Sequence, residues 1–558
     1  MDAPSWQGRQ RFVIFDAHYG DGSRFAALLR RWRDDPARPQ RLHYIALDPD
    51  CALPGSRRVP GHGDAVTLDL LGAPASAIDA ALGQLRTHLD FAILHRMAGA
   101  GERFARALER MAAPGMSLSA QGLTAAQLRA LEANSFALTG DGDGWRGVCT
   151  SRRPFVPVAA QADRRAIVIG AGLAGSAACQ RLVARGWQVT LVERHPHPAQ
   201  EASGNLAGIV MPLLSRDDNV MTRLARAGFL YARDYWDALG GPATGARCGV
   251  LQLARDGEHA AVQRAIAAEQ SLPGWFARWL ERDEAAALLQ GTPAPHGAWL
   301  FPQGGWVHPP GACGAMLSAC GAALVRRFAC ASVSLERNGD GWAVRRSDGG
   351  LVAAAPVVIV AGGAFHQIAQ AAALPLNPTR GQVSHLAAGS IPALPFVLCR
   401  EAYLTPAVRG WHSSGATYDD DGDPALRQSS HDANLARLRA MLGDPQAAPH
   451  APLAGRVGFR SVSPDRLPLV GVLPDHGALH RAPRMERLRE VPRHPGLYGL
   501  LGFASRGLTW APLAAELLAA QLDGEPLPVE AELADALDPA RFLLRERRRN
   551  GAFGPAEG

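Results

Sequence analysis

The chain has 558 residues, 47% hydrophobic and 20% charged, a balance that excludes a collagen-like, low-complexity or disordered protein. That length exceeds one ordinary core and implies about two to four folding units. The net charge of +6 comes from 58 arginines against 52 acids, with no lysine anywhere, and it permits, without requiring, a polyanionic partner such as RNA.

The opening residues, which include Asp2, Arg9 and Arg11, lack the apolar stretch of a secretory signal. The longest apolar runs fall well short of the ~20 residues that span a bilayer. A cytoplasmic protein with no membrane partner is therefore expected. The eight cysteines are scattered, without a Cys-x-x-Cys pair or histidines at metal-ligand spacing. Buried free thiols and no metal site are expected from that pattern.

In chain order, Phe12 to Phe15, Leu42 to Leu47 and Phe91 to Leu94 read as short apolar strands, and Phe25 to Trp32 and Phe104 to Met111 as helices. These elements predict an open α/β domain over residues 1–153, followed by a Pro/Ala-rich linker over residues 154–163. A second α/β unit occupies residues 164–549. Alternation in Gly249 to Leu253, Trp342 to Val344 and Tyr403 to Thr405 predicts an antiparallel sheet inside it. That sheet belongs to a substrate subdomain at roughly residues 245–355 and 375–455. The α/β pattern returns at Pro356 to Gly363 and from Leu497 to Ala520.

Ala166-Ile167-Val168-Ile169 is a β-branched strand that runs directly into Gly170-Ala171-Gly172-Leu173-Ala174-Gly175, and Ser176 to Ala184 is helical. Each glycine has its own task. Gly170 permits a tight turn, Gly172 lets the backbone approach a pyrophosphate, and Gly175 lets helix and strand pack closely, while the helix N-terminus offers amides to phosphate. A second strand, Gln188 to Val192, ends in Glu193, 18 residues after Gly175. A carboxylate there accepts hydrogen bonds from both ribose hydroxyls. Strand, turn, helix, strand and acid in register predict a dinucleotide site.

FAD rather than NAD is favoured by Glu201-Ala202-Ser203-Gly204-Asn205 and then Ala207-Gly208-Ile209, small residues that let a backbone meet a flat ring. Gly502-Phe503-Ala504-Ser505-Arg506-Gly507-Leu508 precedes a helical pattern from Ala511 to Gln521 and offers a second helix N-terminus to the cofactor. The cofactor-binding set is thus Gly170, Gly172, Gly175, Glu193, Ser203, Gly204, Asn205, Gly502, Ser505, Arg506, Gly507 and Leu508.

These motifs, with Phe301-Pro302-Gln303-Gly304-Gly305-Trp306, Arg380-Gly381-Gln382-Val383-Ser384, Gly458-Phe459-Arg460 and Asp465-Arg466-Leu467-Pro468, make Arg164 to Arg549 resemble a known family. It is the FAD-dependent half of the bifunctional tRNA 5-methylaminomethyl-2-thiouridine biosynthesis proteins, within the D-amino-acid oxidase and glycine oxidase superfamily. The resemblance implies oxidation of the carboxymethylaminomethyl group on a tRNA wobble uridine. A hydride would leave the carbon beside the carboxylate for the flavin, the imine would hydrolyse to glyoxylate and an aminomethyl group, and molecular oxygen would reoxidise the flavin. Arg460 stands where the superfamily carries a carboxylate-binding arginine, and Tyr403 is a second candidate for the same carboxylate. An oxidase of free glycine or sarcosine, and a tRNA-binding protein with a purely structural flavin, stay open as alternatives.

In the same family the N-terminal half is a methyltransferase using S-adenosylmethionine, and this sequence departs from its motifs. Asp16-Ala17-His18-Tyr19-Gly20-Asp21-Gly22 carries His18 in place of the first glycine of the cofactor loop, crowding a turn that wants bare backbone. Asp48 remains in place as a ribose acid. The acidic catalytic motif aligns with His95-Arg96-Met97-Ala98-Gly99, where the acid is gone. A degenerate methyltransferase fold is expected, with the fully bifunctional enzyme as the alternative. The cluster Arg545, Arg547, Arg548 and Arg549 reads either as a solvated tail or as a phosphate contact.

Overall fold

The computed structural model describes residues 5–95, 101–142, 144–153, 161–240, 245–289, 292–391, 394–447, 453–481 and 485–549. The expected linker lies mostly outside these, as do Arg96 to Gly99. The chain divides into two compact units, Met1–Ala162 with Ala519–Ala534, and Asp163–Leu518 with Asp535–Gly558.

The first unit is built on an eight-stranded sheet. Its centre is five parallel strands in the order Val66–Gly72, Arg41–Asp48, Arg11–Asp16, Leu89–His95 and Ala112–Gln121. Gly55–Val59 joins one edge antiparallel, and Gly144–Cys149 and Phe136–Asp141 the other. The inner strands read as unbroken apolar runs because helices cover both faces of a parallel sheet. Ser23–Asp34 buries Phe25, Leu29 and Trp32, and Glu102–Met111 buries Phe104, Leu108 and Met111, the spacing of a one-sided helix. The strands and helices expected from the sequence all form.

One difference concerns Ala519–Ala534, a stretch the sequence pattern groups with the flavin domain. Arg11 Nη1 donates to the Asp523 carbonyl at 2.8 Å, Arg58 Nη2 to the Pro526 carbonyl at 2.8 Å, and Ala531 N to the Gln84 carbonyl at 2.9 Å. Apolar periodicity marks a helix, but it carries no information on which core receives the helix end. The buried Arg58 is also held by Asp69 through two bonds, 2.8 and 2.7 Å long.

The flavin unit contains a six-stranded sheet in the order Leu324–Arg327, Gln188–Val192, Arg165–Ile169, Val357–Ala361, Arg493–Leu501 and Leu469–Pro474. All neighbours are parallel except the last pair. Val333–Asn338, Gly341–Arg346 and Leu351–Ala355 form a separate antiparallel sheet, and Val333, Leu335, Trp342 and Val344 share a core with Ile167, Ile169, Val358 and Leu497. Trp342 to Val344 therefore does not join the substrate sheet, as its alternation suggested. Alternation reports one buried face and not which layer it faces.

The substrate sheet has eight strands, in the order Arg278–Leu280, Ala298–Phe301, Val250–Leu253, Val397–Cys399, Tyr403–Leu404, Trp411–Gly415, Asn377–Ala387 and Ala454–Val462. It is antiparallel except for one parallel pair, Val250–Leu253 with Val397–Cys399. Leu251, Leu398, Leu404 and Leu386 pack with Leu435, Leu438 and Met441 of helix Gln428–Leu442. Since side chains alternate along a strand, Tyr403 lies on the face opposite Leu404.

No described helix is long and apolar enough to cross a membrane. The eight cysteines are free, and Cys149, Cys179, Cys313, Cys320 and Cys399 are buried.

Candidate flavin and substrate site

The glycine turn between Arg165–Ile169 and helix Leu173–Val183 is set by steric need. Gly170 has φ +108°, and a Cβ there would meet the Ala361 carbonyl oxygen at 2.5 Å. A Cβ on Gly175 would stand 1.8 Å from the Gly170 carbonyl oxygen. Gly172 is the residue before the helix, and its added Cβ would touch Ser203 Oγ at 3.0 Å. Ser203 Oγ accepts from the Leu173 amide at 3.1 Å. Glu193 is buried, and its two oxygens accept from the Ala171 and His195 amides at 2.6 and 2.9 Å. A carboxylate has about four acceptor positions, so both oxygens retain capacity for ribose hydroxyls.

The C-terminal motif comes to the same place. Gly502 turns the chain at φ +74° after strand Arg493–Leu501, and helix Gly507–Asp523 then begins. A Cβ on Gly507 would lie 3.5 Å from Leu173 Cδ1, and one on Gly208 would lie 2.5 Å from Leu508 Cδ1. Two helix N-termini and the small-residue turn thus converge around bare backbone. Ser505 is exposed and Asn205 half-buried. This cradle suits FAD: Gly170, Gly172 and Gly175 leave backbone where a pyrophosphate would lie, Glu193 keeps acceptor capacity that a ribose would use, and residues 203–208 would leave room for a ring.

The candidate catalytic residues stand on the substrate sheet. Directly opposed residues share a face, so the register Tyr403↔Gly415, Gly415↔Val383 and Val383↔Arg456 places Tyr403 and Arg456 on one face. Gly458 and Arg460 follow Arg456 by steps of two on the same face. Gly381 pairs with Gly458, and a Cβ on Gly381 would sit 2.4 Å from Arg460 Nη1, so the guanidinium lies flat across bare backbone. Arg460 Nη1 donates to the Thr417 carbonyl at 3.2 Å, and the guanidinium stacks on the Tyr418 ring at 4.4 Å. Burial pushes the Tyr403 phenol up to about 12, although the nearby Arg460 charge opposes the shift, so the hydroxyl stays a donor at neutral pH.

The guanidinium of Arg506, expected to serve the cofactor, lies over the Trp510 ring at 6.0 Å. Burial lowers its pKa. Among the described residues neither Arg460 nor Arg506 forms an ion pair. Each guanidinium therefore keeps donor capacity for an anion.

Arg456 and Tyr418 escaped the sequence reading. Arg456 donates to the Gln200 carbonyl, and a Cβ on Gly204 would fall 2.3 Å from its Nη2, so it reaches the small-residue turn. The even, four-residue spacing from Arg460 along one strand was the available signal for Arg456. Nothing in the sequence pattern marks Tyr418, which meets Arg460 only through the tertiary fold.

In the first unit, Asp16 is fully buried. It accepts from Tyr44 Oη at 2.5 Å, from Arg24 Nε at 3.0 Å and Nη2 at 3.1 Å, and from the His18 amide at 3.0 Å. The His18 ring lies 3.7 Å from where a Cβ on Gly20 would stand, and Tyr19 Oη 2.8 Å from that of Gly22. The loop is thereby covered by two side-chain rings. Burial raises Asp48 above the usual carboxylate range against the pull of Arg57. In the arginine cluster near the C-terminus, Arg545 is committed to Asp465 at 2.6 Å.

Comparison with known proteins adds three kinds of likeness. The FAD dependent oxidoreductase family model matches residues 165–521. The tRNA 5-methylaminomethyl-2-thiouridine biosynthesis bifunctional protein MnmC of Aromatoleum aromaticum is 42% identical over 97% of this chain and 92% of its own. The protein of the same name from Burkholderia thailandensis is 40% identical over 98% and 92%. Among solved structures, iminodiacetate oxidase from Chelativorans sp. superposes with a TM-score of 0.54 and 25% identity, over 65% of this chain and 97% of that one. Glycine oxidase from Geobacillus kaustophilus gives 0.55 and 20%, over 68% and 99%, and shares the fold.

Proposed function

The chain belongs to the family of tRNA 5-methylaminomethyl-2-thiouridine biosynthesis bifunctional proteins, with an FAD dependent oxidoreductase domain, and from that premise we propose that its flavin unit trims a modified wobble uridine in tRNA. The substrate is the 5-carboxymethylaminomethyl group, with or without 2-thiolation, and the product is the aminomethyl form. The observation that carries this reading is Arg460, which lies over the bare Gly381 backbone on the same sheet face as Tyr403 and forms no ion pair among the described residues.

FAD bound in the glycine cradle supplies the two-electron acceptor, and molecular oxygen is the final oxidant. Arg460 holds the substrate carboxylate through its fork, and the Tyr403 hydroxyl donates a further bond. Held in this way, the carbon between carboxylate and amine is fixed in position, and orientation contributes more than a strong base would. The neutral secondary amine loses a hydride from that carbon and a proton from nitrogen. Water then cleaves the imine to glyoxylate and the primary amine, balancing atoms and charge.

The first unit, in this reading, no longer transfers methyl groups. Its support is the fully engaged Asp16 and the rings of His18 and Tyr19 over the cofactor loop. A calorimetric titration with S-adenosylmethionine is expected to show no binding; tight binding followed by methylation of aminomethyl-uridine tRNA overturns this part.

The main test is anaerobic mixing with tRNA that carries the carboxymethylaminomethyl group. Bleaching of the flavin and loss of the carboxymethyl mass from the nucleoside are expected. Arg460→Ala should retain FAD and lose the bleaching. Rapid bleaching by free glycine or sarcosine and none by tRNA would instead indicate an amino-acid oxidase, and bleaching by neither a structural flavin.

A further inference from the structure

Tyr418 is 63% exposed, yet the residues on either side of it are pinned. Thr417 is buried; its amide donates to the Gln382 carbonyl at 3.2 Å, and its Oγ1 donates to Asp419 Oδ2 at 3.0 Å. Asp419 exchanges two backbone bonds with Arg380, 2.9 and 3.0 Å long. The fully buried Arg380 guanidinium holds the rest of the loop: it donates to Asp419 Oδ2 at 2.9 Å, the Asp423 carbonyl at 2.8 Å and the Ala425 carbonyl at 2.6 Å. Arg427 neutralises Asp421 and Asp423 at 2.8 and 2.9 Å. A buried cation has therefore been spent on fixing a loop whose one aromatic side chain stands in solvent.

The ring has a defined neighbour on one side, the Arg460 guanidinium at 4.4 Å. Most of the residue's surface is exposed. In the substrate proposed above, four single bonds separate C5 of uracil from the carboxyl carbon, about 5 Å when extended. The Tyr418 ring centroid lies 4.4 Å from the Arg460 guanidinium, a separation of the same order as that arm. An oxidase of small amino acids has nothing to place there.

We infer that Tyr418 is a specificity-determining residue, the platform on which the wobble uracil stacks while its carboxymethyl arm reaches Arg460. The inference rests on the tRNA reading. A base splayed from a single-stranded loop is bound through its π-face by aromatic side chains, and Tyr418 offers that face at a fixed distance from the carboxylate anchor. The contact with Arg460 restrains the ring without requiring that it be buried.

The experiment measures flavin reduction by tRNA bearing the modified uridine in wild type, Tyr418→Phe, Tyr418→Trp and Tyr418→Ala, over a range of tRNA concentrations. Loss of the platform should raise the tRNA concentration for half-maximal reduction roughly tenfold to a hundredfold in Tyr418→Ala, the range set by one base stack. The saturated reduction rate should change less than about twofold, and the Phe and Trp variants should resemble wild type. Unchanged concentration dependence in Tyr418→Ala overturns the inference. So does a fall in the saturated rate as large as the change in half-saturation, which would make Tyr418 a prop for Arg460. Failure of the wild-type protein to be reduced by tRNA instead sinks the proposed function itself.

Discussion

Replacing Gly175 by alanine probes the flavin site at its tightest point. The new Cβ would lie 1.8 Å from the Gly170 carbonyl oxygen and 3.3 Å from Val168 Cγ1. Carbon and oxygen ordinarily approach no closer than about 3.3 Å, so the start of helix Leu173–Val183 must retreat by roughly 1.5 Å. In a close-packed interior an intrusion of one methyl costs roughly 1–3 kcal/mol. A helix N-terminus displaced that far also gives up an amide bond to the pyrophosphate, about 1.5–3 kcal/mol for a charged acceptor. At about 1.4 kcal/mol per decade, FAD affinity should fall by one to two orders of magnitude. The assay is the flavin-to-protein absorbance ratio after purification, followed by titration of the stripped protein with FAD. Gly274→Ala serves as control, because Gly274 is exposed and its added Cβ meets nothing within 4 Å. Full flavin content and wild-type affinity in Gly175→Ala would refute the assignment of this turn to the cofactor.

Two further predictions concern stability. Burial would raise the Asp465 carboxyl, but hydrogen bonds and charge from Arg541 and then Arg545 outweigh it and hold the group at about 2. Its stabilising contribution, about 2 kcal/mol, is therefore complete above the unfolded value near pH 4 and disappears as pH falls through about 2. Asp465→Asn should lower the melting temperature by a few degrees at pH 7, and the gap from wild type should close in acid; an equal gap at all pH values contradicts the ion-pair account. Asp69→Asn keeps the shape of the buried Arg58 partner and removes its charge, which should cost about 3–5 kcal/mol in the first unit. Hydrogen exchange in peptides from Arg41–Asp48 and Val66–Gly72 should accelerate by at least an order of magnitude, and unaltered protection would show that the pair is dispensable.

Local chemistry made much of the molecule legible in advance. The turn from Gly170 to Gly175, the acid at Glu193 and the apolar strands of both parallel sheets follow from short-range rules: a glycine where a Cβ has no room, a carboxylate at the end of a strand, an apolar run where both faces are covered. Arg460 and Tyr403 were likewise singled out as candidates from the sequence. Their neighbours were not, because the neighbours meet only through strand register and loop anchoring. Arg456 becomes visible once Val383 and Gly381 are known to lie opposite it and Gly458, and Tyr418 once Arg380 fixes its loop over Arg460.

The sequence by itself determined the two α/β cores and the glycine turn of the flavin unit, since each depends on residues close in the chain or on the size of one side chain. Tertiary structure decided which layer each strand entered and which core received Ala519–Ala534. It also decided that Tyr418 meets the Arg460 guanidinium. Those outcomes depend on contacts between segments far apart in sequence, and no local period or propensity encodes them.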